Sequence, residues 1–429
     1  GVSLPPALGL YRTATRLAAP LLSGLLARRT RKGKEDPERR HERLGRPDRA
    51  RPDGLLVWMH GASVGESLVV ASVAEALLAR RPQLNILVTS GTVTSARLLA
   101  ARLPERAFHQ YIPVDTPAAA RRFITHWKPD LAVFAESELW PNLIVETARQ
   151  ETPMALINAR MNDKSIRSWR RRPDTARWLL GRFSWIGAAD TRTRDGLEDL
   201  TGVPVSLAGN LKLEARPPAP DAVELDRIRT ALGNRPVWLA GSTHEGEEAI
   251  VLDAHLKLLA GNPAALLILA PRHPERAAAV ARLIADRGLT TVRRSEQRLP
   301  DARCQVWLAD TLGEMMLWYA LAPASLIAGS LVPGIGGHNP VEASRAGTAV
   351  ITGPHAASFD DLFDAYRRHK AAIEAADAEC LAEAVRTIWR GDGPAIEAAE
   401  AALADASGGA METTLEQLEC LLDGKAVRR

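Results

Sequence analysis

Cysteine is scarce in this chain of 429 residues: Cys304, Cys380 and Cys420 stand far apart, with no C-x-x-C pair. That excludes a disulfide framework and a zinc knuckle, and it fits a reducing compartment. An uninterrupted hydrophobic run is also missing. The most apolar stretch, residues 4–27, is broken by Arg12, Arg16 and Pro20, whereas a membrane-spanning helix wants ~20 mostly apolar residues without charge. Neither the dinucleotide G-x-G-x-x-G nor the G-K-[ST] of a P-loop occurs, so neither NAD nor ATP is indicated. Histidines at the i, i+4 spacing of a zinc helix are absent as well, and His244, His273 and His338 fall in loops, where hydrogen-bonding roles and no metal are expected. No sign of charge dominates, since the formal net charge is only +4. The surplus is local, crowded between Arg28 and Arg51 behind the apolar stretch. That placement suits an interfacial segment over anionic headgroups better than nucleic acid, and better than a cleaved signal peptide, whose charges precede the apolar run.

The most informative stretch runs from Ala328 to Phe359, A-G-S-L-V-P-G-I-G-G-H-N-P-V-E-A-S-R-A-G-T-A-V-I-T-G-P-H-A-A-S-F. It reads as strand, glycine loop, helix and strand. Gly334, Gly336 and Gly337 let the backbone turn and approach a ligand. Asn339 is expected as N-cap with Pro340 at the first helical position, and the amides of such a helix start favour a phosphate. A tight connection with no ligand is the competing reading. Glu342, in the first helical turn, either complements the helix dipole or accepts hydrogen bonds from a ribose diol.

The length, with 46% hydrophobic residues, sets an expectation of two cores. Short apolar strands are predicted at Leu55–His60, Asn85–Ser90, Gln110–Pro113, Leu131–Ala135, Met154–Asn158, Trp185–Ala189 and Val203–Ala208. After a proline-rich connector at Ala208–Pro220 they resume at Val237–Gly241, Leu266–Ala270, Val306–Ala309, Leu326–Ala328 and Ala349–Thr352. Alternation with helical patterns predicts an α/β protein with two doubly wound parallel sheets around a central cleft. The expected organisation is a membrane-associating segment 1–50, a first domain 51–212, a second domain 213–400, and closing helices 401–429 packed back on the first domain.

Ligands in such folds collect beyond the carboxyl ends of strands, and the loops there carry the chemistry. H-G-A-S-V-G-E-S holds Ser63, Gly65 and Glu66 at a turn-to-helix junction; Glu66 is either a stabilising helix-start carboxylate or a reactive group. Glu136 and Glu138 follow another strand and are either an acid/base pair or groups with a structural or acceptor-binding role. Arg160, Lys164 and Arg167 begin a basic stretch, which is either a solvated face or an anion site. In the second half, Ser242 and Thr243 are expected to open a helix, Arg272 and His273 stand in P-R-H-P-E-R, and Gly313 and Glu314 precede another helix.

Taken in order, H-G-A-S-V-G-E, S-E-L-W-P-N, N-A-R-x-x-x-x-S-x-R-S, A-G-N-L-K, G-S-T-H-E-G-E-E, P-R-H-P-E-R, D-T-x-G-E and G-G-H-N-P-V-E closely resemble the 3-deoxy-D-manno-octulosonic acid (Kdo) transferases of Gram-negative bacteria. The resemblance spans roughly Val57 to Phe363. It implies a GT-B fold with the donor nucleotide in the second domain and the acceptor in the first. It also implies a metal- and cofactor-free enzyme on the cytoplasmic face of the inner membrane that moves Kdo from CMP-Kdo to the tetraacyl lipid A precursor, with inversion. On that footing Glu66 would be the general base. The leaving phosphate would meet the helix starts after Ser242 and Gly337 together with Arg272 and Lys212, the donor loops also contributing Thr243, His273, Gly336 and Asn339. Glu342 would hold the ribose, and Gly313 with Glu314 the cytosine. Ser63, Gly65, Glu138, Arg160, Lys164 and Arg167 would face the acceptor. The chain departs from the family pattern at Gly61, where Ala is more usual, at Glu214 for Asp and at Ser358 for Asn. A UDP-sugar transferase or 2-epimerase of the same fold, and a non-catalytic nucleotide-sugar binder, are the alternatives.

Overall fold

A computed structural model describes residues 3–424. It divides into two compact units, one comprising the chain up to Arg216 together with the segment from Ser407 on, the other Pro217–Ala406. Each is built on one all-parallel sheet of seven strands. The first sheet contains β1 (Leu56–His60), β2 (Asn85–Ser90), β3 (Ala107–Tyr111), β4 (Leu131–Ala135), β5 (Met154–Ala159), β6 (Trp185–Ala188) and β7 (Ser206–Leu207). Their order is β3-β2-β1-β4-β5-β6-β7.

Continuous apolar runs are what a sheet covered on both faces requires, and β1 is buried at every position. Its side chains alternate between two cores. Leu56 and Trp58 join Phe123, Trp127 and Phe134 on one face, whereas Val57 and Met59 join Val69, Val70, Val73 and Leu77 of the helix Val64–Arg80 on the other. The last helix, Ala410–Leu422, completes this second core through Leu415 and Leu418. Arg80 and Arg81 fasten its outer side through Glu419 and Asp423.

The second unit repeats the plan with β8 (Val237–Thr243), β9 (Leu266–Pro271), β10 (Thr291–Arg293), β11 (Val306–Leu308), β12 (Ala324–Ile327), β13 (Ala349–Thr352) and β14 (Ala372–Glu374). The order is β10-β11-β9-β8-β12-β13-β14, again parallel throughout. In each sheet the winding reverses beside the first strand, between β1 and β4 and between β8 and β12. The loops leaving those strand pairs diverge there and open a crevice.

The structure corrects several sequence-based expectations. The edge strand β3 spans Ala107–Tyr111 instead of Gln110–Pro113, and the edge strands β10 and β14 were not expected. Both are three-residue, half-exposed pieces without an apolar run. No helix among the described residues is long and apolar enough to cross a membrane. Residues 6–27 of the apolar stretch belong to one helix, Pro6–Arg31, that continues through Pro20. Arg12 points inward from it, donating to Asn142 Oδ1 at 3.1 Å and Glu146 Oε1 at 2.8 Å. Tyr11 donates to Asp115 beside it, and Asp115 in turn accepts the N–H groups of Asn142 and Leu143 at the start of helix Pro141–Arg149. Leu10, Leu17, Leu21 and Leu25 stay exposed.

The helix is thus tied down by polar contacts in a dry setting, where removing one partner of an ion pair costs about 3–5 kcal/mol. Glu146→Ala, which leaves the buried Arg12 guanidinium with Asn142 alone, is expected to lower unfolding stability by that amount and to speed amide exchange across residues 6–31. Denaturant titration with hydrogen exchange checks both.

Candidate functional site

The crevice of the first unit is organised by Glu66. Ser63 is the N-cap of helix Val64–Arg80, its Oγ accepting the Glu66 N–H, and the Glu66 carboxylate reaches back in a capping box. Oε2 accepts both the Ala62 and the Ser63 N–H, at 2.9 and 2.8 Å. Oε1 accepts no hydrogen bond among the described residues. The side chain is buried, and burial is the main force pushing its pKa up; the Ser63 N–H opposes this, and the nearby carboxylates of Glu138 and Glu136 add to it. Gly61 lets the chain pass close: a Cβ there would lie 2.9 Å from the Glu66 carbonyl carbon and oxygen.

Across the switch point, the loop after β4 brings Glu138 and Glu136. Burial works against ionisation of Glu138, but His60 and the Trp140 indole outweigh it and hold its pKa below the usual range. Glu138 Oε2 accepts the Trp140 N–H at 2.7 Å and lies 3.5 Å from the fully buried His60 Nε2. Glu136, in the left-handed region at φ 59°, pairs with Lys212 Nζ at 2.8 Å. Lys212 therefore belongs to the first unit's carboxylate cluster, an arrangement the sequence reading missed because 76 positions separate the partners. Ser63 and Gly65 lie on the same helix start, Gly65 with open space at its Cα. Arg160, Lys164 and Arg167 begin beyond β5, all exposed and without an ion-pair partner among the described residues.

The second unit has a parallel device. Gly246 caps helix Glu247–Gly261 in the left-handed region, and the fully buried Glu247 reaches back as Glu66 does. Oε2 accepts the N–H groups of His244 and Gly329 and Oε1 that of Leu331, at 2.9, 2.9 and 3.0 Å. One carboxylate thus joins the loop after β8 to the loop after β12. Glu248 beside it takes Arg276 at 2.5 Å and the Thr243 hydroxyl.

Several expectations change here. Ser242 and Thr243 end β8, with Ser242 at φ 60° in a bulge, and the helix opens only at Glu247. The buried Thr243 hydroxyl is committed to Glu248. The helix after the glycine loop is Val341–Arg345, one residue later than expected, with Pro340 at the N-cap and Asn339 Oδ1 accepting the Val341 N–H. Gly337 donates its N–H to Gly329 C=O, turning that amide inward, away from any phosphate. A Cβ on Gly336 would lie 2.3 Å from Ser358 Oγ, and one on Gly337 3.0 Å from Ala356, so both glycines also serve close packing.

His244 and His338 meet at this switch point with Nε2 atoms 2.8 Å apart. His273 stands edge-on to His244 at 5.7 Å, and Arg272 and His273 are both exposed on the neighbouring loop. Glu342 is exposed at its tip, while partial burial raises its pKa. Gly313 adopts φ 79°, and Glu314 is gripped by Arg294 through two bonds of 2.8 and 3.1 Å, with the Thr311 hydroxyl as third partner. These hydrogen bonds to the Arg294 guanidinium are foremost in holding the Glu314 pKa down. Glu314 is thus a brace for its loop.

Residues 38–215 match the family model of the 3-deoxy-D-manno-octulosonic-acid transferases (kdotransferases). Over 367 residues the chain is 34% identical to a probable mitochondrial 3-deoxy-D-manno-octulosonic acid transferase of Arabidopsis thaliana, covering 84% of this chain and 82% of that protein. It is 33% identical over 360 residues to the 3-deoxy-D-manno-octulosonic acid transferase of Haemophilus influenzae, with 82% and 83% covered. Among solved structures, a UDP-N-acetylglucosamine 2-epimerase at 11% identity superposes with a TM-score of 0.53, covering 88% of this chain and 97% of that one. That likeness establishes the shared GT-B architecture alone.

Glu247 holds three amides, those of Gly329 and Leu331 buried and that of His244 half-buried, and a buried one costs about 1–3 kcal/mol if left unsatisfied. Glu247→Ala is expected to destabilise the second unit by about 3 kcal/mol or more, and Glu247→Gln by less, read from urea unfolding midpoints. A loss below about 1 kcal/mol in the alanine variant would contradict the brace.

Proposed function

The chain belongs to the family of Kdo transferases, and from that premise we propose that it moves Kdo from CMP-Kdo onto the tetraacyl lipid A precursor with inversion at the anomeric carbon. The observation that carries the mechanism is the carboxylate of Glu66. Two backbone N–H groups immobilise it through Oε2, Oε1 is left to accept a proton, and burial raises its basicity. A helix-start carboxylate kept only for stability would gain nothing from that raised pKa.

In this reading Glu66 removes the proton of the acceptor hydroxyl as its oxygen attacks the anomeric carbon, and CMP departs from the opposite side. Glu138 and the exposed Arg160, Lys164 and Arg167 meet the acceptor, whose two phosphates suit unpaired cations. The switch point of the second unit receives the donor phosphate, helped by Arg272 and the helix starts beside the glycine loop, while Glu342 takes the ribose and the backbone at Gly313 the base. The exposed Leu10, Leu17, Leu21 and Leu25 of helix Pro6–Arg31, followed by Arg28, Arg29, Arg31, Lys32 and Lys34, support peripheral attachment to the cytoplasmic face of an anionic membrane, where each basic residue adds about 1 kcal/mol.

Glu66→Gln separates chemistry from capping, because the amide oxygen can still accept the two N–H groups but cannot take a proton. The variant is expected to lose ~10²–10⁴-fold in kcat with CMP affinity unchanged. Its stability should hold or rise at neutral pH: a raised carboxyl pKa stabilises the fold only below the unfolded value, and that contribution is lost as pH rises through the folded one. In the wild type, kcat/KM should climb with pH through a midpoint above the ordinary glutamate value of 4.5. Steady-state kinetics and thermal melts check these outcomes, and unchanged turnover would remove the assignment.

A further inference from the structure

The histidines at the switch point of the second unit form a unit of their own. His244 follows β8 and His338 lies in the glycine loop after β12, yet their rings are parallel to within 8°, with centroids 5.1 Å apart and Nε2 atoms 2.8 Å apart. Two imidazole nitrogens attract at that distance only when one proton lies between them. With none the lone pairs repel, and with two the N–H groups collide.

The fold enforces this approach from its buried side. Glu247 holds the His244 and Gly329 amides together, Gly337 closes its loop onto Gly329 C=O, and Gly329, at φ 76°, leaves room where a Cβ would stand 2.8 Å from His338 Cδ2. The groups facing the pair are Arg272 and His273 from the loop after β9 and Glu247 and Glu248 from the helix Glu247–Gly261. Burial, with Arg272 and His273, lowers both imidazoles against the pull of the two glutamates on His244, and His338 falls to about 4. Near neutral pH the pair by itself therefore carries no net charge, one imidazole donating its Nε2–H to the bare Nε2 of the other.

We propose that the His244–His338 pair receives the leaving phosphate of the donor, taking up one further proton from solvent as the phosphate binds, so that the pair becomes cationic while its Nε2–H···Nε2 bond is kept. This rests on the proposed placement of the donor phosphate at this switch point. In the donor the phosphate is a diester with one negative charge. When the bond between the anomeric carbon and the phosphate oxygen breaks, the electron pair stays on that oxygen and CMP leaves as a dianion, while the acceptor proton goes to Glu66. The added charge appears beside a pair that has become cationic, so the attraction is greatest as the bond breaks, which is what lowers a barrier. The added proton either stays on the pair or passes to the phosphate oxygen, leaving the two imidazoles neutral and still hydrogen-bonded to each other and CMP a monoanion. The charges balance in both cases.

Calorimetric titration of the full chain with CMP, in buffers of different ionisation enthalpy at pH 8, counts the protons exchanged. Free CMP is already a dianion there, since a phosphate monoester has its second pKa near ~6. The wild type is expected to take up close to one proton per CMP, and its affinity to fall about tenfold per pH unit above neutrality. His244→Gln and His338→Gln should each lose the uptake and the slope, bind CMP at pH 7 about tenfold more weakly, and show kcat reduced ~10²-fold or more. If the wild type binds CMP with buffer-independent heat and pH-independent affinity, the pair is not the phosphate's partner, although the donor site stands. If it binds no CMP at any pH, the donor site falls with it. The wild-type titration decides the matter even if a variant fails to fold.

Discussion

Both halves of this protein depend on a glutamate that bends back from the first turn of a helix to collect backbone amides at the point where the sheet reverses its winding. Glu66 does this after β1 for Ala62 and Ser63, and Glu247 does it after β8 for His244, Gly329 and Leu331. A carboxylate away from water is stable only while its oxygens are satisfied, so each glutamate dictates the path of the loops around it. Those loops carry Ser63, His244 and His338.

The two devices differ in what they leave over. Glu66 spends one oxygen on the backbone and keeps the other, so its burial becomes basicity instead of pure cost. Glu247 spends both, and its product is geometry: two loops are held close enough that His244 and His338, 94 positions apart in sequence, touch. Arg294 does comparable work at the loop after β11, forking onto Glu314 and Glu224 while its guanidinium lies 5.5 Å from the centre of the Trp318 ring. Charged side chains in this protein are organisers at least as often as they are ligands.

The sequence made much of this legible, and unevenly. Central strands such as Asn85–Ser90, Leu131–Ala135 and Ala349–Thr352 fall where their apolar runs predict, because a strand covered on both faces has no other way to be written. The edge strands Thr291–Arg293 and Ala372–Glu374 bury little and left no such mark. The turn-to-helix junction in H-G-A-S-V-G-E-S was legible, and the helix does start there, at Val64. The matching reach of Glu247 to His244 was hidden, since Gly246 stands at the cap and supplies no hydroxyl. Arg12 read as an interruption of an apolar stretch, yet it is an inward anchor whose partner, Glu146, lies 134 positions away. The pairing of Lys212 with Glu136 and of His244 with His338 depends on strand order, which periodicity does not carry.

The account turns on one transfer reaction with one stereochemical outcome. Incubating the protein with CMP-Kdo and the tetraacyl lipid A precursor, then following CMP release alongside mass and NMR analysis of the lipid, addresses it directly. The expected result is release of CMP in step with Kdo appearing on the lipid, its anomeric configuration opposite to that in the donor. Retained configuration, or CMP released with no Kdo on the lipid, would contradict it.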